Sequence, residues 1–154
     1  MTFHNPFRRT IIKYKSIIPL HVQYALNEIG VTEYPGEGSN PRIVEYLSVV
    51  GFNDEKYGWC SAFLCWSMAG AGLKHTGSAL ARSWLEWGSP VETPQLGDIC
   101  VFKRGIDPLY GHCAIYLDMK DGLITVLGGN QGNAVRISRY YDKQLLGYRR
   151  INII

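Results

Sequence analysis

The chain of 154 residues reads as an α+β domain, with helices in its first half packed on an antiparallel sheet of about five strands in its second. Three observations predict this. Helical apolar spacing with helix stop signals is confined to the segment before Pro94. After Pro94, five short stretches rich in β-branched and aromatic residues follow one another, separated by turn residues. No helical stretch lies between them to make the crossovers that parallel strands need, so the strands pair antiparallel.

The elements follow in order. Leu20–Ile29 carries Val22, Ala25, Leu26 and Ile29 on one helical face and stops at Gly30. Residues 33–39 hold Pro35, Gly36 and Gly38 and form a loop. Asn40 before Pro41 pairs a capping side chain with a first-turn proline. It opens a helix through Val50, with Ile43, Val44, Leu47 and Val50 as its stripe and Gly51 as its stop. The third helix, Trp59–Ala69, has Trp59, Ala62, Phe63, Cys65, Trp66 and Met68 around most of its circumference, so it is enclosed by the rest of the fold. A shorter fourth helix fits Ser78–Trp87, stopped by Gly88 and Pro90. Strands are expected over Asp98–Phe102, His112–Leu117, Leu123–Leu127, Ala134–Ser138 and Gly147–Ile151.

Composition limits the function classes. With 46% hydrophobic and 19% charged residues, the chain is a packed globule and not a disordered, collagen-like or coiled-coil one. The net charge of +3 is too small to argue for nucleic acid. Four of its 16 basic residues, Arg8, Arg9, Lys13 and Lys15, lie in the first 20 positions with no acid among them. The remaining twelve face 13 acids, so the excess belongs to a basic N-terminal arm, residues 1–18, ahead of a single domain, 19–154. Pro19 and His21 interrupt any signal-peptide core, so no signal peptide is expected. The uncharged run Tyr57–Leu73 is shorter than the ~20 apolar residues a span requires, so no stable membrane insertion is expected. The four cysteines, Cys60, Cys65, Cys100 and Cys113, show no CxxC spacing and read as free thiols. There is no internal repeat.

Two of the residues carry chemistry. Cys60 opens the enclosed helix, where unpaired N–H groups and the helix dipole favour a thiolate and could also hold the oxyanion formed on an attacked carbonyl. A thiolate that cleaves an amide needs a proton donor for the leaving amine, normally a histidine. His112 begins a strand and shares a face with Ala114 and Tyr116, while Cys113, Ile115 and Leu117 take the other. A three-residue hairpin loop, Lys120-Asp121-Gly122, pairs position 119 with 123 and brings Asn130 opposite His112. A two-residue loop would bring Gln131 there instead. Either amide could hold one imidazole nitrogen and leave the other for the thiol. Ala114 and Gly128 on that face are small enough to let a helix approach closely.

These residues resemble a family. Trp59-Cys60-Ser61-Ala62-Phe63 opens the helix, Gly97–Phe102 follows a proline-bearing loop, and Gly111-His112-Cys113-Ala114-Ile115-Tyr116 begins the next strand. Leu127-Gly128-Gly129-Asn130-Gln131 and Leu146–Arg150 complete the set. Together they resemble the NlpC-type and CHAP-type papain-like cysteine peptidases and amidases, and within them a compact phage-associated subgroup carrying the LGGNQ run. The resemblance spans about Leu20 to Ile151.

It implies a papain-like fold and a peptidoglycan hydrolase, an endopeptidase or an N-acetylmuramoyl-L-alanine amidase, that needs no metal or organic cofactor. Cys60 matches the nucleophile, His112 the general base and acid, and Asn130 the residue that orients the histidine, with Gln131 as a substitute. The Cys60 backbone N–H would serve the oxyanion. Trp59, Tyr110 and Glu37 are candidates for the substrate groove, which the loops Glu33–Asn40 and Arg104–Tyr110 are long enough to wall. Such a protein is made in the cytoplasm and reaches the wall after release through a holin or lysis, or by an injection apparatus, in which case an immunity protein is an expected partner. The alternatives are an inactive wall-binding or phage structural module of the same fold, and an acyltransferase or deamidase acting on protein.

Other residues invite plainer readings. Asp98 at a strand start fits a turn better than an acid catalyst. Cys65 lies ~140° around the helix from Cys60 and cannot share its face. A zinc site built from the cysteines and His112 would need ligands from opposite strand faces. His75 is the rival base. Trp84 and Trp87 read as packing residues.

Overall fold

A computed structural model describes residues 17–152, so the basic arm, residues 1–18, lies almost wholly outside the described residues. Within them α1 (Leu20–Leu26), α2 (Pro41–Ser48), α3 (Cys60–Gly70) and a 3-10 helix (Ala81–Glu86) precede six strands. These are β1 (Ser89–Val91), β2 (Ile99–Lys103), β3 (Gly111–Lys120), β4 (Leu123–Gly128), β5 (Arg136–Tyr141) and β6 (Leu145–Arg150). They form one antiparallel sheet in the order β1-β6-β2-β3-β4-β5. The architecture is the expected α+β one, with helices packed on an antiparallel sheet. The sheet has six strands because Ser89–Val91 pairs with β6 at the edge, where Pro90 costs no ladder hydrogen bond on its open side.

α3 is the axis of the core. Phe63, Leu64, Cys65 and Met68 are fully buried, and each large apolar side chain so enclosed contributes ~1.5–3 kcal/mol. Its two buried hydroxyls are satisfied: Ser67 Oγ donates to the Phe63 carbonyl, and Ser61 Oγ donates to the Ser78 carbonyl while accepting from Trp84 Nε1. α1 crosses it closely, and a Cβ on Gly70 would lie 2.8 Å from the Tyr24 ring. α2 starts as expected, with the Asn40 side chain accepting from the Arg42 N–H and Pro41 in the first turn. The helix-side core takes Ile99, Val101, Cys113 and Ile115 from the sheet. On the other face Cys100, Phe102, Ala114, Tyr116 and Val126 form a second cluster.

Several expectations need correction. α1 stops at Leu26: the N–H groups of Asn27, Glu28 and Ile29 bond back to Gln23, Ala25 and Leu26 in tightening turns, and from Gly30 the chain bonds elsewhere. Gly30 N–H reaches the Val135 carbonyl, Val135 N–H the Val31 carbonyl, and Glu33 N–H the Asn133 carbonyl. The expected fourth α-helix is a single stretch of 3-10 helix anchored by the buried Trp84. The β3–β4 hairpin has a two-residue turn, with Lys120 paired to Leu123 and both Asp121 and Gly122 at positive φ. A bulge at Leu117 then shifts the register, so that Tyr116 faces Val126 and Ile115 faces Leu127. Gly128 and Ala114 face each other away from the helices. The close approach of α3 falls on Gly129 instead, where a Cβ would meet Phe63 and Trp59 at under 3 Å.

Candidate active site

Cys60 is the first residue of α3, whose N-terminus is capped by no side chain. The first-turn N–H groups are therefore not taken up by a capping side chain. Cys60 is 6% exposed and opens on a cleft of about 350 Å³. Its walls come from Phe52 and Tyr57 ahead of the helix, Leu80, and Leu109 and Tyr110 after β2.

His112 lies in β3 opposite Phe102 of β2 and is 2% exposed. Its ring packs against those of Phe102 and Tyr140, with centroids 6.4 and 5.2 Å away, and those two rings also touch each other at 4.8 Å. Nε2 lies 2.9 Å from Gln131 Oε1. The Gln131 amide is itself oriented: its Nε2 donates to the Arg136 carbonyl at 2.6 Å, and its Oε1 also accepts from the Tyr140 hydroxyl at 3.2 Å. With oxygen thus turned toward the ring, His112 must carry its proton on Nε2. Nδ1 is buried and, among the described residues, is the one buried side-chain nitrogen or oxygen with no hydrogen-bond partner.

The electrostatics favour a thiolate. The Cys60 pKa is held well below the ordinary thiol range, chiefly by the Cys113 thiol beside it. Burial works in the opposite direction, and the hydrogen bond and charge of His112 then add to the lowering. The neighbour shows the complementary effect: burial above all pushes the Cys113 thiol up, and the hydrogen bond and charge of Cys60 push it further. Imidazole and sulfur thus attract each other while Nδ1 still lacks an aligned hydrogen bond, as is common in sites without substrate.

The expected orienting residue is corrected. Asn130 does not reach His112. At φ +55 it stands in the left-handed region just past the end of β4, and its side-chain nitrogen lies against Gly58, 3.8 Å from where a Cβ would be. That left-handed turn breaks strand alternation, so Gln131, 3% exposed, folds back onto the imidazole. Trp59 is no groove residue: it is fully buried, with its Nε1 donating to Glu33 Oε1 at 2.8 Å. Tyr110 does line the cleft, whereas Glu37 is exposed on its loop and is not among the lining residues. Gly128 contributes by being small, since a Cβ there would lie 3.0 Å from Gln131 Oε1.

Asp98 has the plainer role expected of it. It accepts two hydrogen bonds from Arg150 and one from the Gln95 N–H, a turn and a clamp. His75 Nδ1 accepts from the Gly77 N–H in an exposed loop, away from Cys60. Among the described residues no cluster of three or more His, Cys, Asp or Glu side chains could hold a metal ion. None of their helices is long and apolar enough to cross a membrane. The residues that escaped sequence reasoning are Tyr140 and the second-cysteine role of Cys113. Tyr140 sits in a strand, Arg136–Tyr141, whose polar sequence shows no buried face.

No curated protein matches the chain. Seven chains of solved structures do. One is a Staphylococcus aureus protein described as similar to a lipoprotein of the NLP/P60 family, with 22% identity and a TM-score of 0.45. That match covers 78% of this chain and 45% of the other, so the chain spans less than half of that protein's length. The sequence profile of the CHAP domain matches residues 52–130, a segment running from the cleft wall at Phe52 through Cys60 and His112 to the turn before Gln131. The chain belongs to the CHAP domain family.

Proposed function

We propose that the protein is a cysteine hydrolase that cuts an amide bond in the peptide part of bacterial peptidoglycan. The observation that carries this reading is the placement of Cys60 at the uncapped tip of α3 beside an imidazole whose Nε2 is held by Gln131 and whose Nδ1 is open. In the resting site the Cys60 proton passes to Nδ1. The thiolate attacks the amide carbonyl, and the oxyanion is received by the first-turn N–H groups of α3, the Cys60 N–H among them. Nδ1–H protonates the leaving amine, and the thioester remains on Cys60. Nδ1 then takes a proton from water, which attacks the thioester and releases the carboxylate. Throughout, Nε2–H stays on Gln131. A neutral amide fixes the ring but adds no charge, so the imidazolium depends on the thiolate itself for electrostatic support.

Clearing of purified cell walls, followed by mass spectrometry of the fragments, tests this reading. The wild type should generate new amine and carboxylate ends. Cys60→Ala should lose at least about a thousandfold in rate while keeping its thermal unfolding midpoint. Wall clearing by Cys60→Ala at the wild-type rate would refute the assignment.

A further inference from the structure

The cleft beside Cys60 is apolar with one exception. Phe52, Tyr57, Leu80, Leu109 and Tyr110 supply aromatic and aliphatic walls, and Arg104 is the one charged side chain among the lining residues. No acid lines the cleft to neutralise it. Arg104 is exposed, and among the described residues it makes no hydrogen bond and no ion pair. Its charge nevertheless reaches the site. Burial raises the pKa of Tyr140, whose hydroxyl donates to Gln131, and the Arg104 charge acts against that rise.

The loop that carries Arg104 is held in place. Arg82 Nε donates to the Tyr110 carbonyl at 2.7 Å, and the Asp107 side chain accepts from the Leu109 N–H within the loop. A guanidinium at the rim of a hydrophobic cleft, with no internal partner, is suited to a planar anion brought in by the substrate.

We propose that Arg104 is a specificity-determining residue that pairs with a carboxylate of the bound wall peptide, so that the site takes acidic stem peptides in preference to their amidated counterparts. This rests on the reading of the site as a wall-peptide hydrolase. Stem peptides offer two such groups, the free α-carboxylate of an isoglutamyl residue and the carboxylate at the peptide terminus. Both present the same chemistry to a guanidinium, while the apolar walls accommodate the methyl groups of alanyl neighbours.

The test is calorimetric binding of soluble muropeptides to the full chain carrying Cys60→Ala, which cannot turn them over. Three peptides are compared: the free acid, one amidated at the isoglutamyl carboxylate and one amidated at the terminus. One of the amides is expected to bind about tenfold more weakly than the acid, which identifies the carboxylate used. Adding Arg104→Gln should remove that difference, and Arg104→Glu should invert it. Equal affinity for all three peptides overturns the proposal. So does a preference that survives Arg104→Gln, or absence of binding by a protein whose wild type digests walls; in these cases the hydrolase reading stands. If the wild type digests no wall preparation, acidic or amidated, the hydrolase reading falls and the specificity built on it falls too.

Discussion

The two ends of β2 hold two buried polar clusters of opposite character. At the start, Asp98 is saturated, with both carboxylate oxygens bonded to Arg150 and one also receiving the Gln95 N–H. Toward the other end, His112 faces Phe102 with one nitrogen held and the other left without a partner. Burying a polar atom without a partner costs roughly 1–3 kcal/mol, which a purely structural site has no reason to keep. Satisfaction therefore separates a clamp from a reactive centre. Burial does not, because Asp98 and His112 are about equally enclosed.

Among changes that leave the thiol and the imidazole in place, breaking the held side of the imidazole should have the largest effect. Gln131→Ala removes the acceptor that fixes the Nε2–H tautomer and is expected to lower kcat about 10- to 100-fold, with wall-hydrolysis kinetics as the measure. The open side can be read by pH. A lowered folded-state pKa means that the thiolate predominates above that midpoint and is lost as pH falls through it. Iodoacetamide should therefore label Cys60 well below the ordinary thiol midpoint of ~8.5. Cys113→Ala and His112→Ala should each move that midpoint upward, since each removes a lowering influence.

The clamp should respond in the opposite way. Asp98→Asn is expected to lower the thermal unfolding midpoint while leaving kcat of the folded protein within about twofold, because its partners and those of His112 are separate. An equal loss in kcat would erase the distinction between the two ends. The smallest effect is expected at Asn130. Asn130→Gly preserves the left-handed backbone and should leave kcat within about threefold, which separates its role from that of Gln131.

Much of the fold and part of the site are legible in the amino-acid sequence. Cys60 at a helix start, His112 at a strand start and a polar amide after β4 follow from apolar periodicity and from turn residues, both of which are local signals. The pairing expected from a three-residue loop also holds near the site, but by a different route: a two-residue turn and the bulge at Leu117 offset each other. The choice of amide is not legible, because it depends on a single residue, Asn130, leaving the strand conformation. β1 is hidden by Pro90, which reads as a breaker and is tolerated only because the strand lies at the edge. Trp59 illustrates the limit of motif adjacency, since the residue one step before Cys60, at the N-cap of α3, points into the core.

The hydrogen bonds between residues 30–33 and residues 133–135 carry a consequence for dissection of the protein. The turn bearing Gln131 is stitched to a stretch that precedes the profile-matched segment by some twenty positions, and Trp59 adds a further stitch through Glu33. A fragment trimmed to residues 52–130 would retain the sulfur and the imidazole yet lack both the carboxamide and the backbone that seats it. The smallest working unit of this molecule is thus wider at both ends than its recognisable signature.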